Sequence, residues 1–330
     1  MKTRPFGKNG PPVSDVGLGT WQIGGTEWGD VPEEAALETL RAAADAGVTF
    51  IDTADIYGSG RSEGLIGRFL REPARPRNRF FIATKLGRRS DPGWPANFIP
   101  GEVRKHTEDS LKRLGIDTID LTQTHCIPLK LLDEHHVFDT LRKLKDEGLI
   151  RYFGASVETM DEANACIDRE VESLQIIFNI FRRKPIDTLF ERAKREGVAI
   201  IVRLPVASGL LAGKFTKDSK FVKTDHRNFN RDGQSFNVGE TFAGLPFEKG
   251  VELADALQPM VPRGQTMAQW AMRWCLDFDA VTTVIPGATR PQQARDNAAA
   301  SDLPPLPPDA HRNLKEFYDT RVAALIRGPY

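Results

Sequence analysis

An α/β chain folded as a (β/α)8 TIM barrel, with an N-terminal hairpin and a C-terminal closing helix, is what this sequence predicts. Three observations carry that expectation. Eight short runs rich in Val, Ile and Phe alternate with amphipathic helical patterns. Such alternation makes parallel βαβ units, and eight is the strand number that closes a barrel. Four of the early helical patterns end in a glycine just ahead of the next strand, at Gly47, Gly115, Gly148 and Gly197, which is the turn chemistry of αβ loops. The competing doubly wound sheet normally carries a GxGxxG turn after its first strand. Here GLGTWQ has Gln22, and GSGRSE has Glu63, in the third glycine position.

The strand candidates begin, in order, with VGLGT at Val16, VTFID at Val48, RFFIAT at Arg79, TIDLTQ at Thr118, IRYFGA at Ile150, SLQIIF at Ser173, VAIIVR at Val198 and VTTVI at Val281. Between them, PEEAALETLRAAADAG places Pro32 at a helix start with acids in the first turn, where they complement the helix dipole. EVRKHTEDSLKRLG, DEHHVFDTLRKLKDEG, MDEANACIDRE and IDTLFERAKREG read as further helices. TRPFGKNGPPVSDVG, with its Asn9-Gly10 pair, reads as a hairpin capping the barrel floor. Two long segments, 88–101 after the third strand and 214–244 after the seventh, read as binding loops or lids. They would sit on the C-terminal face, where barrel enzymes keep their sites. The proline-rich stretch after Ser301 leads into the closing helix. No internal linker is visible, so residues 1–330 are expected to form a single domain.

Composition narrows the function classes. Lys plus Arg equals Asp plus Glu at 45 each, so no overall field favours nucleic acid or an acidic surface. The three cysteines are scattered without a CxxC, which argues against a disulfide framework or a zinc site. His135-His136 lacks an i,i+4 partner, and no metal is expected. The N-terminus has no signal-like apolar core, and no run reaches the ~18 residues of a spanning helix. A cytoplasmic protein acting on a small molecule is expected, with no nucleic-acid or membrane partner.

The ends of consecutive strands carry the chemistry. The second strand ends in Asp52, the third in Lys85 and the fourth in His125, while Tyr57 overhangs from the loop after the second. Alone, each has an ordinary explanation: a turn-forming aspartate, a snorkelling lysine, a structural histidine, a rim tyrosine. Together they deliver a carboxylate, a phenol, an ammonium and an imidazole to one rim. A free phenol titrates near ~10. A neighbouring ammonium is expected to lower that value, with the carboxylate keeping the ammonium charged. That set suits protonation of a carbonyl oxygen as hydride reaches its carbon. The other five histidines, His106, His135, His136, His226 and His311, are read as surface or helix residues.

Nearly the whole chain resembles the aldo-keto reductase superfamily, through VGLGTWQIGG, GVTFIDTADIYGSGRSEGLIGRFL, the lysine of IATKLG, DLTQTHC, GLIRYFGAS, PVASGLLAGKF and VIPGATRPQQARDN. GVTFIDTADIYG is the most specific of these, and the pattern is closest to the bacterial general-reductase branch. The resemblance implies NADPH/NADP+ as cofactor and a catalytic tetrad of Asp52, Tyr57, Lys85 and His125, with Tyr57 as general acid. Gly19, Thr20 and Trp21 would lie under the nicotinamide ribose and substrate, with Asp52 also reaching the cofactor. Ser156 and Gln175 would hold the carboxamide. Pro205, Ser208, Gly209, Leu210, Gly213 and Lys214 would line the pyrophosphate. Gly287, Thr289, Arg290, Gln293 and Asn297 would grip the adenosine 2′-phosphate and adenine, Arg290 supplying the charge that favours NADP over NAD.

Two positions depart from the family pattern. Arg203 stands where many members stack an aromatic on the nicotinamide, placing a positive charge beside a ring that is cationic when oxidised. Val157 replaces an asparagine that would touch the carboxamide. Substrate would meet Trp21, Tyr57, Trp94, Phe98 and His125, with Trp28 nearby; aromatic walls suit an apolar carbonyl or a sugar or cyclic polyol. Two alternatives stay open: a redox-sensing NADPH-binding protein like potassium-channel β subunits, and a lyase or isomerase forming a Schiff base on Lys85.

Overall fold

The computed structural model describes residues 1–25 and 27–330. The chain opens with an antiparallel pair, β1 (Thr3–Pro5) and β2 (Pro12–Ser14). The turn between them is not a two-residue Asn-Gly turn. It is a wider loop closed by Phe6 N–H to the Pro11 carbonyl at 3.0 Å and Gly10 N–H to the Phe6 carbonyl at 2.9 Å. The wider loop points Phe6 into the barrel, where its ring lies 4.6 Å from Phe81 and 5.2 Å from Tyr152. Phe6, Val13, Phe50, Phe81, Leu121, Ile201 and Ile285 fill the barrel interior as one apolar cluster. The hairpin is thus the plug of the floor.

Eight strands follow in parallel, each beside its sequence neighbour: β3 (Leu18–Gly19), β4 (Phe50–Asp52), β5 (Phe81–Leu86), β6 (Ile119–His125), β7 (Ile150–Ser156), β8 (Ser173–Ile177), β9 (Ala199–Arg203) and β10 (Val281–Val284). Parallel bridges Val16–Val284 and Gly19–Gly287 join first to last. Buried β-branched residues such as Ile82, Ile119, Ile200 and Val202 face the surrounding helices in the larger core, the double-sided cover that parallel strands need. The eight predicted strands all form, within a few residues of their expected bounds.

The expected αβ glycines adopt left-handed φ, as at Gly115 (65°) and Gly197 (73°), each closing the helix before it. Three local expectations change. Pro32 caps the helix Glu33–Asp45 rather than opening it. The helix expected at 133–148 is two, Leu129–Glu134 and Val137–Asp146, split where His136 turns left-handed at φ 49°. The 214–244 segment is not structureless. It contains the helical turn His226–Phe229 and short 3-10 turns at Val238–Glu240 and Phe242–Gly244. Phe215, Phe221 and Phe242 pack on Phe247 with centroids 4.8–6.0 Å away, giving the segment a core of its own. The closing helix forms at Pro308–Phe317 and buries Leu314. Among the described residues, no helix is long and apolar enough to cross a membrane.

Candidate active site

Strand register builds the site. β6 pairs with β7 so that His125 lies beside Ser156, and β7 with β8 so that Ser156 lies beside Gln175. β3 sets Gly19 beside Asp52, and β5 sets Lys85 beside Gln123. One layer at the C-terminal rim therefore holds all the polar strand ends, as barrel enzymes arrange them.

The four expected catalytic side chains converge. Lys85 Nζ donates to Asp52 Oδ1 at 2.5 Å, to the Thr53 carbonyl at 2.8 Å and to Tyr57 Oη at 3.3 Å. The His125 ring stands edge-on to Tyr57, centroids 5.8 Å apart. Asp52 Oδ2 accepts from Gln175 Nε2 at 2.8 Å and from Gln123 Nε2 at 3.3 Å. Both carboxylate oxygens are thereby satisfied, which a buried charge requires. Gln123, within the DLTQTHC stretch, was not expected in this role.

The electrostatics revise one expectation. Burial pushes the Tyr57 phenol up, and the opposing pull of the Lys85 ammonium does not overcome it, so the phenol stays protonated at neutral pH. Burial alone would lower Lys85, but Asp52 and then Tyr57 outweigh it and hold the ammonium charged. An amine kept protonated in this way is a poor nucleophile, which argues against Schiff-base chemistry on Lys85. Burial, then the charges of Lys85, Arg88 and Arg203, hold His125 well below the usual imidazole range. Among the described residues, none partners its buried Nδ1.

These groups open on a cavity of about 630 Å³. Most of the expected cofactor residues line it. Gly19, Thr20, Trp21 and Asp52 stand on one side, Ser156, Gln175, Arg203 and Pro205 across the barrel. Ser208, Gly209, Lys214, Gly287, Thr289, Gln293 and Asn297 complete the wall. After β9 the backbone is left-handed at Leu204, Ala207, Ser208 and Gly209, a concentration of unfavourable conformations typical of a site. Leu210 and Gly213 do not line the cavity: Leu210 is buried in the helix–strand core, and a Cβ on Gly213 would face Gln258 and Met267. Arg290 is exposed at the start of the helix Pro291–Ala298, beside the wall rather than in it.

The expected substrate wall is also redrawn. Phe98 is wholly buried in the core, and Trp94 is 46% exposed with its indole N–H given to the Gly87 carbonyl. Neither lines the cavity. The aromatic wall is Trp21, Trp28, Tyr57, Phe215, Phe229 and Phe236, the last three supplied by the 214–244 segment. His226, read from sequence as a surface or helix residue, lies on the helical turn His226–Phe229 but is wholly buried between Trp21 and Trp28, at 4.9 and 4.3 Å, and burial lowers it to about 4. His106 is likewise buried and lowered to about 4. Nothing in the local sequence marks Phe229 or Phe236 as wall residues, or His226 as a buried one, because a tertiary fold of the loop puts them there.

A family model described as the aldo/keto reductase family matches residues 15–319. The chain belongs to the aldo/keto reductase family. It is 32% identical over 301 residues to the aldo-keto reductase YhdN of Bacillus subtilis (strain 168), covering 89% of this chain and 86% of that protein. It is 30% identical to the NADH-specific methylglyoxal reductase of Escherichia coli (strain K12), covering 92% and 94%. Among solved structures, the glycerol dehydrogenase AKR11B4 of Gluconobacter oxydans superimposes with a TM-score of 0.78 at 29% identity, covering 99% of this chain and 98% of that one. This aldo/keto reductase is accordingly an oxidoreductase, and the family generally uses nicotinamide cofactors.

Proposed function

We propose that this aldo/keto reductase is an NADPH-dependent reductase of aldehydes and ketones in which Tyr57 is the general acid. The observation that carries the reading is the contact of Lys85 Nζ with both Asp52 and Tyr57 at the wall of a large cavity. The cavity fits a dinucleotide. Ser156 offers a hydroxyl donor and Gln175 an amide-oxygen acceptor for a carboxamide, Ser208, Gly209 and Lys214 flank a path for a pyrophosphate, and Thr289, Gln293 and Asn297 stand at the far wall for the adenosine. Arg290, beside the wall, supplies the cation for a 2′-phosphate.

Bound NADPH supplies the hydride for carbonyl reduction. Tyr57, protonated at neutral pH, gives its proton to the carbonyl oxygen as the carbon is reduced, yielding the alcohol and a phenolate. Lys85 compensates that phenolate, and Asp52 keeps the lysine charged and oriented. The neutral His125 imidazole donates a hydrogen bond to the same carbonyl oxygen. In alcohol oxidation the roles reverse, with Tyr57 as base. Trp21, Trp28, Phe229 and Phe236 suit an apolar or ring-shaped carbonyl, including a sugar or cyclic polyol.

The test is a carbonyl and polyol panel, beginning with 4-nitrobenzaldehyde, run with NADPH and with NADH. Consumption of NADPH with formation of the alcohol is expected. Tight NADPH binding without turnover across the panel would leave a dinucleotide-sensing protein instead.

A further inference from the structure

Arg203 ends β9 in the cavity wall, and all of its N–H groups already have protein partners. Nε donates to Glu240 Oε1 at 3.1 Å, and Nη2 donates to the same oxygen at 2.6 Å and to Cys126 Sγ at 3.6 Å. Nη1 donates to the carbonyls of Val157 and Gln175, both at 3.0 Å. Five donors spread round one plane leave its edge occupied. The guanidinium can therefore offer a ligand only its flat faces, against which planar rings stack.

The place of that face follows from its partners. Cys126 is the neighbour of His125, and Gln175 carries the amide that holds Asp52. Arg203 thus stands at the chemical end of the cavity, where the redox-active ring must lie if hydride is to reach a carbonyl beside Tyr57. A nicotinamide ring is neutral when reduced and cationic when oxidised. A bare guanidinium there would repel the oxidised form selectively.

Glu240 answers that charge. It reaches the site from the 214–244 segment, on a 3-10 turn whose Asn237 side chain accepts from the Gly239 N–H. Its own carbonyl accepts from Ser208 Oγ at 3.0 Å, and the same hydroxyl oxygen accepts from Phe242 N–H at 3.1 Å. The carboxylate is thereby fixed against the end of β9 and the loop that follows it. Resting on the dinucleotide reading above, we infer that Glu240 is a specificity-determining residue: by neutralising Arg203 it sets the ratio of affinities for oxidised and reduced cofactor. Cys126, Glu158 and Glu240 have ligand atoms close enough for a metal, but the Arg203 guanidinium between Cys126 and Glu240 makes the cluster an ion-pair site instead.

The test is equilibrium binding of NADP+ and NADPH, by titration calorimetry, to the parent and to two single variants. Glu240→Gln removes the carboxylate bonded to the guanidinium, leaving only the more weakly coupled Glu158, and is expected to weaken NADP+ on the order of tenfold more than NADPH. Arg203→Met leaves an uncompensated carboxylate and is expected to move the ratio the other way, in favour of NADP+. The opposite signs are the signature, since loss of a merely structural tie weakens both forms alike in both variants. Equal losses for the two forms would overturn the inference. If one variant does not fold, the sign found in the other still decides. Failure of the parent to bind either form would strike the dinucleotide reading itself.

Discussion

Replacing Lys85 with methionine separates what the ammonium does for the fold from what it does for the reaction. The lysine is 1% exposed, and its loss leaves the Asp52 carboxylate buried with only the two glutamine amides. Breaking a buried pair from one side costs about 3–5 kcal/mol. The effect on chemistry is independent of that loss. At 3.3 Å from Tyr57 Oη, a unit positive charge stabilises a phenolate by about 5 kcal/mol at an effective dielectric of about 20. Even half of that approaches a hundredfold in rate. Urea unfolding should show the stability loss, and turnover per folded molecule with NADPH and 4-nitrobenzaldehyde should fall by about two to four orders of magnitude. Adding Asp52→Leu should recover stability without recovering turnover. Turnover within about tenfold of the parent in folded Lys85→Met would refute the role given to the ammonium.

Arg290→Ala should weaken NADPH about tenfold or more while leaving NADH nearly unchanged; equal losses in a binding titration would show that it does not read the phosphate. Phe6→Ala empties the floor plug and should cost about 3–5 kcal/mol in denaturant unfolding, with turnover per folded molecule kept, since the ring lies at the end of the barrel opposite the site. Asp55, buried against Arg89 Nε at 2.8 Å, is raised by burial to about 6. The folded state therefore holds this proton more tightly than the unfolded one, so the group's contribution falls as pH rises from about 4 to about 6. Compared with Asp55→Asn, the parent should lose on the order of 2–3 kcal/mol across that window; parallel stability curves for the two would contradict the burial argument.

What was legible in the sequence was what local patterning dictates. Strand existence followed from runs of Val and Ile, helix ends from Gly115 and Gly197, and the placement of Asp52, Lys85 and His125 from their position at strand ends. Contacts made by long loops were not legible. Trp94 and Phe98 belong to the segment 88–101, where Phe98 turns inward to fill the core and Trp94 is tied to Gly87. Phe229 and Phe236 take the expected wall positions from a segment whose course depends on its phenylalanine cluster. The partner of Arg203 lies thirty-seven positions away in sequence, and no period or motif links it to Glu240. The tuning of Tyr57 escaped for a related reason. The ammonium is readable from sequence, but the burial that outweighs it is a property of the assembled rim.

In the proposed reaction Tyr57 donates the proton while other residues hold the cofactor. The most direct test of that role compares the parent with Tyr57→Phe for NADPH affinity and for turnover of a carbonyl that the parent reduces. Nearly unchanged affinity is expected, with turnover lower by about 10²–10⁴-fold, the usual worth of a positioned acid. Unchanged turnover in the folded variant would contradict that role.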